Sequence, residues 1–297
     1  MTERGQTRRR IGSGPKLAAF AAALAAVFAV ASIAGGAIDP DKAAEGSDRS
    51  HSEEDEMTTM SADQHGAAVA PAGLAIAADG YRLDLDRDDF ATGERGELSF
   101  RIVGPDGVVT DFEEEHRKPL HLIVVRRDMT GFQHLHPRMA ADGTWSAPLE
   151  LAEAGVYRAY ADFRTAGHEL TLGADLTASG AFQPRPLPAP QPTATTAGYE
   201  VTREDEGEEG MLAFTVSRGG EPVTDLQPYL GARGHLVAIR AGDLAYVHVH
   251  PEQADPGDPA AIAFHAELPS AGSYRLFLQF RHRDEVRTVA FTGEVSK

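Results

Sequence analysis

The chain has 297 residues, of which 42% are hydrophobic and 25% are charged, so it is long enough for one large globular domain or two ordinary ones. Its formal net charge of -17 argues against nucleic acid as a partner, because a surface that follows phosphates needs clustered Lys and Arg. It contains no cysteine, which excludes disulfides, thiolate metal sites, iron-sulfur clusters and a cysteine nucleophile. Any metal site must therefore use His, carboxylate, Met or backbone groups.

The N-terminal segment has the pattern of an export signal. Residues 1–16 form a basic region with Arg8, Arg9 and Arg10, and residues 17–38 contain no charged residue. A basic region ahead of such an apolar segment predicts a signal peptide or a signal anchor. The length, about 33 Å as a helix, favours the anchor. The positive-inside rule then places everything after about residue 40 outside the cytoplasm, in a single-pass membrane protein or, if the signal is cleaved, a secreted one.

Two segments lack the periodicity of a folded domain. Residues 39–71 are rich in Ala, Ser, Asp and Glu and predict a disordered acidic tether. Residues 182–197 include a stretch with proline at every other position, which favours an extended, semi-rigid linker. The linker divides the rest of the chain into residues 72–181 and residues 198–297, each of which has the size of one sandwich domain.

The two parts flanking the linker are copies of one another. Residues 96–137 align without a gap on residues 210–251, with HLIVVR matching HLVAIR and FQHLHP matching YVHVHP. After a short insertion in the second copy, LAEAGVYRAYADFR matches LPSAGSYRLFLQFR. Because the matches stay collinear over most of each part, the sequence indicates a duplicated domain.

Nearly all of the predicted secondary structure is strand. In the first copy, seven short segments with strand composition are separated by clusters of turn residues. That spacing over about 100 residues is typical of an immunoglobulin-like sandwich. The sequence therefore predicts an all-β protein of two tandem immunoglobulin-like β-sandwich domains. Tyr157 and Tyr274, in the phrase AGxYR before a strand, are expected at a corner of each sandwich.

Histidines recur at equivalent positions of the two copies. Each copy has an HxHP motif, in FQHLHP and in YVHVHP, and a further histidine precedes the motif at the same spacing. Period-two alternation along strands would place the side chains of each set on one face of a hairpin. The predicted metal ligands form two triads: His121, His134 and His136 in the first copy, and His235, His248 and His250 in the second.

The hairpin register can be counted in the second copy. With a two-residue turn at residues 242–243, His235 faces His250 directly and His248 lies on the neighbouring diagonal. Opposed and diagonal Cβ atoms are about 5 and 7 Å apart, which imidazoles can close onto one ion. Three neutral imidazoles suit copper or zinc, with a further coordination position left for another ligand.

The alternative is that these histidines are structural. His121 lies on the same strand face as Ile123 and Val125, and His235 on that of Val237 and Ile239, so the rings can instead point into a core and form hydrogen bonds there. Duplication would copy a structural trio as faithfully as a metal site, so the two copies are not independent evidence.

The phrases HLIVVRRD, FQHLHP, DGTW and AGVYRAYADF, after an export segment, resemble a group of membrane-attached secreted actinobacterial proteins described as heavy-metal-binding. The pattern L…AGxYR…F is more distantly similar to the copper-resistance CopC-like and YtkA-like envelope sandwich proteins. In CopC-like proteins a DGHP loop supplies copper ligands. Here the equivalent place reads TAGHEL, with His168, and HRDEV in the second copy, so that ligand set does not carry over. The resemblance implies the fold class and favours copper.

No nucleophile elbow, phosphate loop or HExxH motif is present in the sequence. We therefore expect no enzyme but an exported, membrane-anchored metal-binding protein, a copper or zinc carrier, buffer or sensor. The expected partners are a metal ion, an envelope metal transporter or chaperone, and the membrane through the N-terminal segment, with no nucleic acid. The alternative is a non-catalytic immunoglobulin-like interaction or scaffold module of the cell envelope, in which the histidines are structural.

Overall fold

A computed structural model describes residues 71–204, 210–252, 259–266 and 268–295. The predicted basic region, export segment and nearly all of the predicted tether lie outside the described residues. Within the described ranges, no helix has the length and apolar character needed to cross a membrane. These ranges contain strands joined by turns and loops, as the all-β prediction requires.

The first sandwich is built from two sheets of mainly antiparallel strands. One sheet has the order β1-β2-β4-β9-β8, with β5 paired to β4, and the other has the order β3-β11-β10-β6-β7, with β3 and β11 parallel. Its strands are β1 Ala77–Ala78, β2 Tyr81–Leu85, β3 Asp89–Phe90, β4 Arg95–Gly104, β5 Gly107–Val108, β6 Leu120–Arg126, β7 Gln133–Leu135, β8 Arg138–Met139, β9 Trp145–Glu150, β10 Gly155–Thr165 and β11 His168–Ala178.

The second sandwich repeats this plan. One sheet has the order β12-β13-β14-β19-β18, with β15 paired to β14, and the other has the order β17-β16-β20-β21. Its strands are β12 Thr193–Thr196, β13 Tyr199–Glu204, β14 Met211–Arg218, β15 Glu221–Pro222, β16 Gly234–Arg240, β17 Tyr246–Val247, β18 Val249–Pro251, β19 Ala261–Ala266, β20 Gly272–His282 and β21 Glu285–Val295. Strand β12 lies inside the segment predicted as linker and pairs with β13.

Each sandwich has its own apolar core, produced by strand alternation. In β6, Leu120, Leu122 and Val124 point inward, and they are at most 1% exposed. Residues of the neighbouring strand β10 that face the same way, such as Ala159 and Ala161, join them. The second sandwich is filled in the same manner from β13, β14, β16, β19, β20 and β21.

The other faces of β6, β10, β16 and β20 form a third core between the two sandwiches. Ile123, Val125, Met129 and Tyr160 of the first sandwich pack there against Val237, Ile239, Leu244, Tyr246 and Phe277 of the second. The rings of Phe132 and Phe277 stack across the interface with their centroids 4.1 Å apart. The Tyr160 hydroxyl donates a 2.7 Å hydrogen bond to the Leu244 carbonyl. Both faces of these strands are therefore buried.

The structure confirms the predicted fold class. All seven strand segments predicted in the first copy are strands, and the additional strands of that copy are two residues long. The two corner tyrosines are also equivalent: the Tyr157 hydroxyl donates to the Glu153 carbonyl and the Tyr274 hydroxyl donates to the Ser270 carbonyl, each at 2.8 Å. Such bonds to the backbone a few residues upstream are the mark of a tyrosine corner.

Candidate metal centre

Five histidines meet at one end of the interface between the sandwiches. His121 belongs to β6 and lies on the same face as Ile123, which packs in the third core. His235 occupies the equivalent position of β16, beside Val237. We call His116, His121, His134, His136 and His235 the imidazole cluster. It combines the predicted triad of the first sandwich with His235 of the triad predicted for the second, and it adds His116, which belongs to neither triad.

The rings of the imidazole cluster are in contact distance of one another. The ring centroid of His134 lies 5.1 Å from that of His121, 4.7 Å from that of His136 and 4.6 Å from that of His235. The rings of His121 and His235 are nearly parallel, at 18° and 5.6 Å. One ring nitrogen from each of His121, His134 and His235 lies within 4.8 Å of the other two. Nitrogens around a tetrahedral zinc ion are about 3.3 Å apart, so small side-chain movements suffice to bind one ion.

The hydrogen bonds at the cluster define the tautomers of two histidines. His121 Nε2 lies 3.1 Å from the Glu115 carbonyl oxygen, which can only accept, so this nitrogen carries a proton. His134 Nδ1 lies 2.6 Å from Gln279 Oε1 and carries a proton for the same reason. The amide orientation of Gln279 agrees with its second contact, in which Nε2 donates to Thr288 Oγ1 at 3.2 Å.

The two remaining nitrogens face each other without a proton between them. In a neutral imidazole the second nitrogen is a bare acceptor, and His121 Nδ1 and His134 Nε2 are 2.9 Å apart. Two lone pairs at this distance repel unless a proton or another cation lies between them. The hydrogen bonds of His121 to the Glu115 carbonyl and of His134 to Gln279 are of the kind that orients metal-bound histidines in proteins. In such histidines, the ring N–H that does not face the metal donates to a carbonyl oxygen.

Protonation is an unfavourable way to relieve this contact. Burial lowers the pKa of His134 well below its ordinary value of 6.5, and the neighbouring His121 lowers it further. Burial also lowers the pKa of His121, and it lowers the pKa of His136 to about 4. The pKa of His235 is also lowered well below 6.5, mainly by burial and next by the neighbouring His134. The cluster thus presents neutral imidazoles, the form that binds metals.

Two further ring nitrogens are available as ligands. His136 Nε2 and His235 Nδ1 are buried, and neither has a hydrogen-bond partner among the described residues. Buried polar atoms are nearly always paired, so each such atom in a native structure requires an explanation. The nitrogens of His121, His134 and His235 together give a three-imidazole donor set, which suits zinc or copper.

In the structure, His235 and His250 are not paired across one hairpin: His235 pairs with Gln279 and His250 pairs with His265. The predicted register is present where β16 and β17 pair, with Ala238 opposite Val247 and Ile239 opposite Tyr246. The chain then leaves this sheet, and His250 pairs with His265 of β19 in the other sheet. The prediction that His235 lies opposite His250 was therefore wrong, because a register counted along one hairpin assumes that the strand stays in one sheet.

His248 instead contacts carboxylates of the first sandwich. Its Nδ1 lies 3.3 Å from Glu169 Oε1 and 3.9 Å from Asp162 Oδ1. These groups line a cavity of about 180 Å³ at the interface, which also includes His250, Glu115 and the rings of His116 and His235. We call this the acidic cavity. It is adjacent to the imidazole cluster, since His116 and His235 belong to both.

Sequence reasoning missed two participants, Gln279 and His116. Gln279 is 6% exposed and lies on β20 directly opposite His235, on the face that contacts the first sandwich. The sequence signal for Gln279 is its polarity, because another residue on the same face of β20, Phe277, is apolar and buried. His116, which belongs to neither predicted triad, has a ring centroid 6.0 Å from that of His121 and 5.6 Å from that of His235.

Fold and site define a class of protein: tandem immunoglobulin-like sandwiches that enclose a histidine cluster at their interface. A family model matches both copies, at residues 76–180 and 194–297. The chain belongs to this family, described as a domain of unknown function, DUF8832. The comparison with curated proteins finds no match.

Several solved structures share the sandwich architecture at low similarity. The Escherichia coli adhesin FdeC is 12% identical with a TM-score of 0.26, and the match covers 73% of this chain and 65% of that one. Salmonella alpha-2-macroglobulin reacted with methylamine is 15% identical with a TM-score of 0.28, covering 75% and 15%. The Yersinia pseudotuberculosis adhesin InvE is 11% identical with a TM-score of 0.24, covering 72% and 58%. The chain thus spans less than two thirds of each, and at such values these similarities carry no argument about function.

Proposed function

We propose that this chain is a non-catalytic, exported metal-binding protein, a copper or zinc carrier, buffer or sensor, whose site is shared by the two sandwiches. The observation that carries the proposal is the pair of unprotonated nitrogens, His121 Nδ1 and His134 Nε2, that face each other at 2.9 Å. A cation between them replaces a repulsive contact with two coordinate bonds. The apolar export segment at residues 17–38 supports a location outside the cytoplasm, anchored in the membrane.

The proposed site is one composite centre and not one centre for each sandwich. His121 and His134 come from the first sandwich, and His235 comes from the second, with its nitrogen in the same group. Gln279, which is also part of the second sandwich, orients His134. Both sandwiches are thus needed to complete the ligand set. This composite assignment replaces the two equivalent triads expected from sequence.

Neutral ligands leave the charge of a bound dication uncompensated, so the surroundings of the cluster matter. Asp162 pairs directly with His121 on the neighbouring strand β10, and Glu115 and Glu169 line the adjacent acidic cavity. These carboxylates supply counter-charge without occupying the imidazole site. A soluble or membrane-bound partner, such as an envelope metal transporter or chaperone, would deliver or accept the ion.

Metal titration of the purified, chelator-treated full-length chain tests the proposal. Zinc, copper(II) and copper(I) are titrated separately into the wild type, His134→Gln, His235→Gln and the double variant. We expect each single substitution to remove the same tight equivalent. The double variant should lose no further tight equivalent, because both residues bind one ion. Two independent triads would instead lose two tight equivalents in the double variant.

His168→Gln is the matched control. His168 is an exposed histidine of the first sandwich whose ring lies at a tilt of 54° to that of Tyr81, with ring centroids 5.7 Å apart, and it belongs to neither the imidazole cluster nor the acidic cavity. Its substitution should leave metal binding unchanged. Tight binding that survives His134→Gln and His235→Gln, in variants that retain the wild-type circular dichroism spectrum, would reject the proposed site.

The second candidate is an envelope interaction or scaffold module with structural histidines. It is favoured by the position of the cluster within a packed interface, where His121 is 3% exposed and its Nε2 donates a hydrogen bond to the Glu115 carbonyl. This candidate predicts no tight metal binding by the wild type and a loss of thermal stability in the histidine variants. The same titration therefore separates the two candidates.

A further inference from the structure

A short segment at the start of the first sandwich also contacts the second. Residues 72–75 directly follow the predicted tether, and we call them the strap. The Gly73 amide donates to the Thr171 carbonyl of β11 at 2.9 Å, and the Tyr246 amide of β17 donates to the Ala72 carbonyl at 2.9 Å. The strap is therefore hydrogen-bonded to one strand of each sandwich.

The close fit of the strap requires glycine at two positions. Gly73 has a φ of +74°, and a Cβ there would lie 2.5 Å from Tyr160 Cδ1 and 3.0 Å from Tyr246 Cβ. A Cβ at Gly173 would lie 2.0 Å from the Gly73 carbonyl oxygen, and the Gly173 amide donates to the Ala75 carbonyl at 2.9 Å. Glycine is the residue that allows such close backbone approach. The strap thus packs directly against the two tyrosines that meet in the third core, whose ring centroids are 5.5 Å apart.

Arg158 of β10 binds the strap through its guanidinium. Its Nε and Nη2 donate to the Gly73 carbonyl at 3.0 and 2.7 Å, and Nη2 also donates to the Leu74 carbonyl at 2.7 Å. The Arg158 side chain is 11% exposed, and its Nη1 pairs with Asp175 at 2.9 Å. Hydrogen bonds from a charged donor are stronger than those from a neutral one, so Arg158 holds the strap on the first sandwich.

The partners of the strap lead to the imidazole cluster. Tyr246 lines the acidic cavity together with His235, and its hydroxyl donates to Asp162 Oδ2 at 3.5 Å. Asp162 lies directly opposite His121 in the pairing of β10 with β6. Ala72 packs against the third core, on whose packing the composite centre depends. Displacement of the strap would uncover one edge of the interface at which His121 and His235 meet.

We infer that the strap is a clamp, which when docked holds the two sandwiches in the arrangement that brings His235 to His121 and His134. Release of the strap lowers the metal affinity, and a bound ion in turn retains the strap, because coupling between two sites is reciprocal. The statement about metal rests on the proposed function, whereas the clamp itself does not. Because the strap follows the predicted tether, the coupling links the anchor side of the chain to the site.

Amide hydrogen exchange and calorimetry of the full-length chain test the clamp in wild type, Gly73→Ala and Gly93→Ala. Gly93 has a φ of +72°, and a Cβ there meets nothing within 4 Å among the described residues. Gly93→Ala therefore has the same backbone cost without the close contact. We expect Gly73→Ala to speed exchange of the Tyr246 and Gly173 amides and to split one unfolding transition into two. Gly93→Ala should change neither.

Arg158→Gln and its control Arg127→Gln form a second pair, which keeps the test decisive if Gly73→Ala misfolds. Arg127 also pairs with Asp175, at 3.1 Å, but no described hydrogen bond joins its side chain to the strap. Arg158→Gln should reproduce the faster exchange and the split transition. Arg127→Gln should match the wild type in both.

Zinc titration of the same variants separates the clamp from the proposed function. We expect Gly73→Ala and Arg158→Gln to bind zinc about 5–150-fold more weakly than the wild type, the usual range for coupling between sites. Zinc should also slow exchange of the Tyr246 amide in the wild type.

Two outcomes overturn the clamp. In the first, Gly73→Ala and Arg158→Gln match their controls in exchange and in the unfolding transition. In the second, both variants exchange faster but keep one transition and the wild-type zinc affinity, so that the strap is a passive cover. If the wild type binds no zinc tightly, the proposed function fails, while exchange and calorimetry still decide the clamp.

Discussion

Gln279 determines which nitrogen of His134 faces the imidazole cluster. Its carbonyl oxygen accepts from His134 Nδ1 at 2.6 Å, so the unprotonated Nε2 points at His121. The amide is held in turn by Thr288, across the β20–β21 pair. A residue of the second sandwich thus sets the tautomer of a proposed ligand in the first. Residues in this outer position usually affect metal affinity without touching the ion.

Replacing Gln279 by Leu should weaken zinc binding by about 10–100-fold, the usual effect of losing such a partner. The change keeps the volume but removes the acceptor, so His134 no longer has a fixed tautomer. Thr288→Val is the control, since it alters only the outer contact of the amide and should have a smaller effect. Isothermal titration calorimetry measures both. Equal zinc affinity in wild type and Gln279→Leu would contradict the assigned role.

At the scale of elements, β6 and β16 each end at an arginine that forms an ion pair with an aspartate of the following turn. The two ion pairs differ in how deeply they are buried. Arg126 and Asp128 have side chains 2% and 5% exposed and are joined by bonds of 2.9 and 2.7 Å. Arg240 and Asp243 form the equivalent pair, but Asp243 is 41% exposed. Arg126 also pairs with Glu153 at 2.6 Å, but the Glu153 side chain is 41% exposed, so removing Asp128 takes away the only buried carboxylate partner of this guanidinium among the described residues. Exposed pairs such as Arg240–Asp243 contribute little.

Asp128→Asn should therefore reduce the free energy of unfolding by roughly 1.5–3 kcal/mol at neutral pH, the usual contribution of hydrogen bonds to charged groups, against less than about 1 kcal/mol for Asp243→Asn. Burial alone would raise the pKa of Asp128, but hydrogen bonds from Arg126, Arg185 and Thr130 hold it well below the ordinary value of 3.8. The carboxylate thus stabilises the fold above pH 3.8, and the contribution is lost as the pH falls further. Urea unfolding at pH 7 and pH 3 should show the difference between wild type and Asp128→Asn shrinking at the lower pH.

Much of the strand structure could be predicted from sequence, because turn residues and alternation are local signals. The hairpin register between β16 and β17 was also predictable, and Ile239 does face Tyr246. The sheet change that follows was not. In the first copy His134 remains paired with Ile123 of β6, while in the second the chain leaves β17 after Val247. Which sheet a strand joins depends on distant partners such as β19, so identical motifs place their histidines differently.

At the scale of the whole molecule, the two copies together form a histidine cluster that draws residues from both. The alternating pattern of β6 and β16 has apolar residues on both faces, and the second face covers the other sandwich. Sequence alone could not show whether the second apolar face of β6 and β16 packs inside a sandwich or against another sandwich. Both kinds of packing require buried Ile and Val side chains at the same alternating positions. His121 and His235 lie at the edge of the shared third core, on the same strand faces as Ile123 and Val237.

This arrangement predicts that the third core is required for metal binding even where no ligand is changed. Val237 is fully buried in that core, two residues from His235, and Val237→Asp introduces an unpaired charge that costs several kcal/mol. We expect the sandwiches to separate, which splits one calorimetric unfolding transition into two and weakens zinc binding, because His134 and His235 no longer meet. Val286→Asp, at a position 43% exposed, is the control and should change neither property.

Zinc should raise the temperature midpoint of the single unfolding transition of the wild type, because binding to the folded state is linked to folding. Unchanged zinc affinity in Val237→Asp despite separated transitions would mean that one sandwich supplies the complete site.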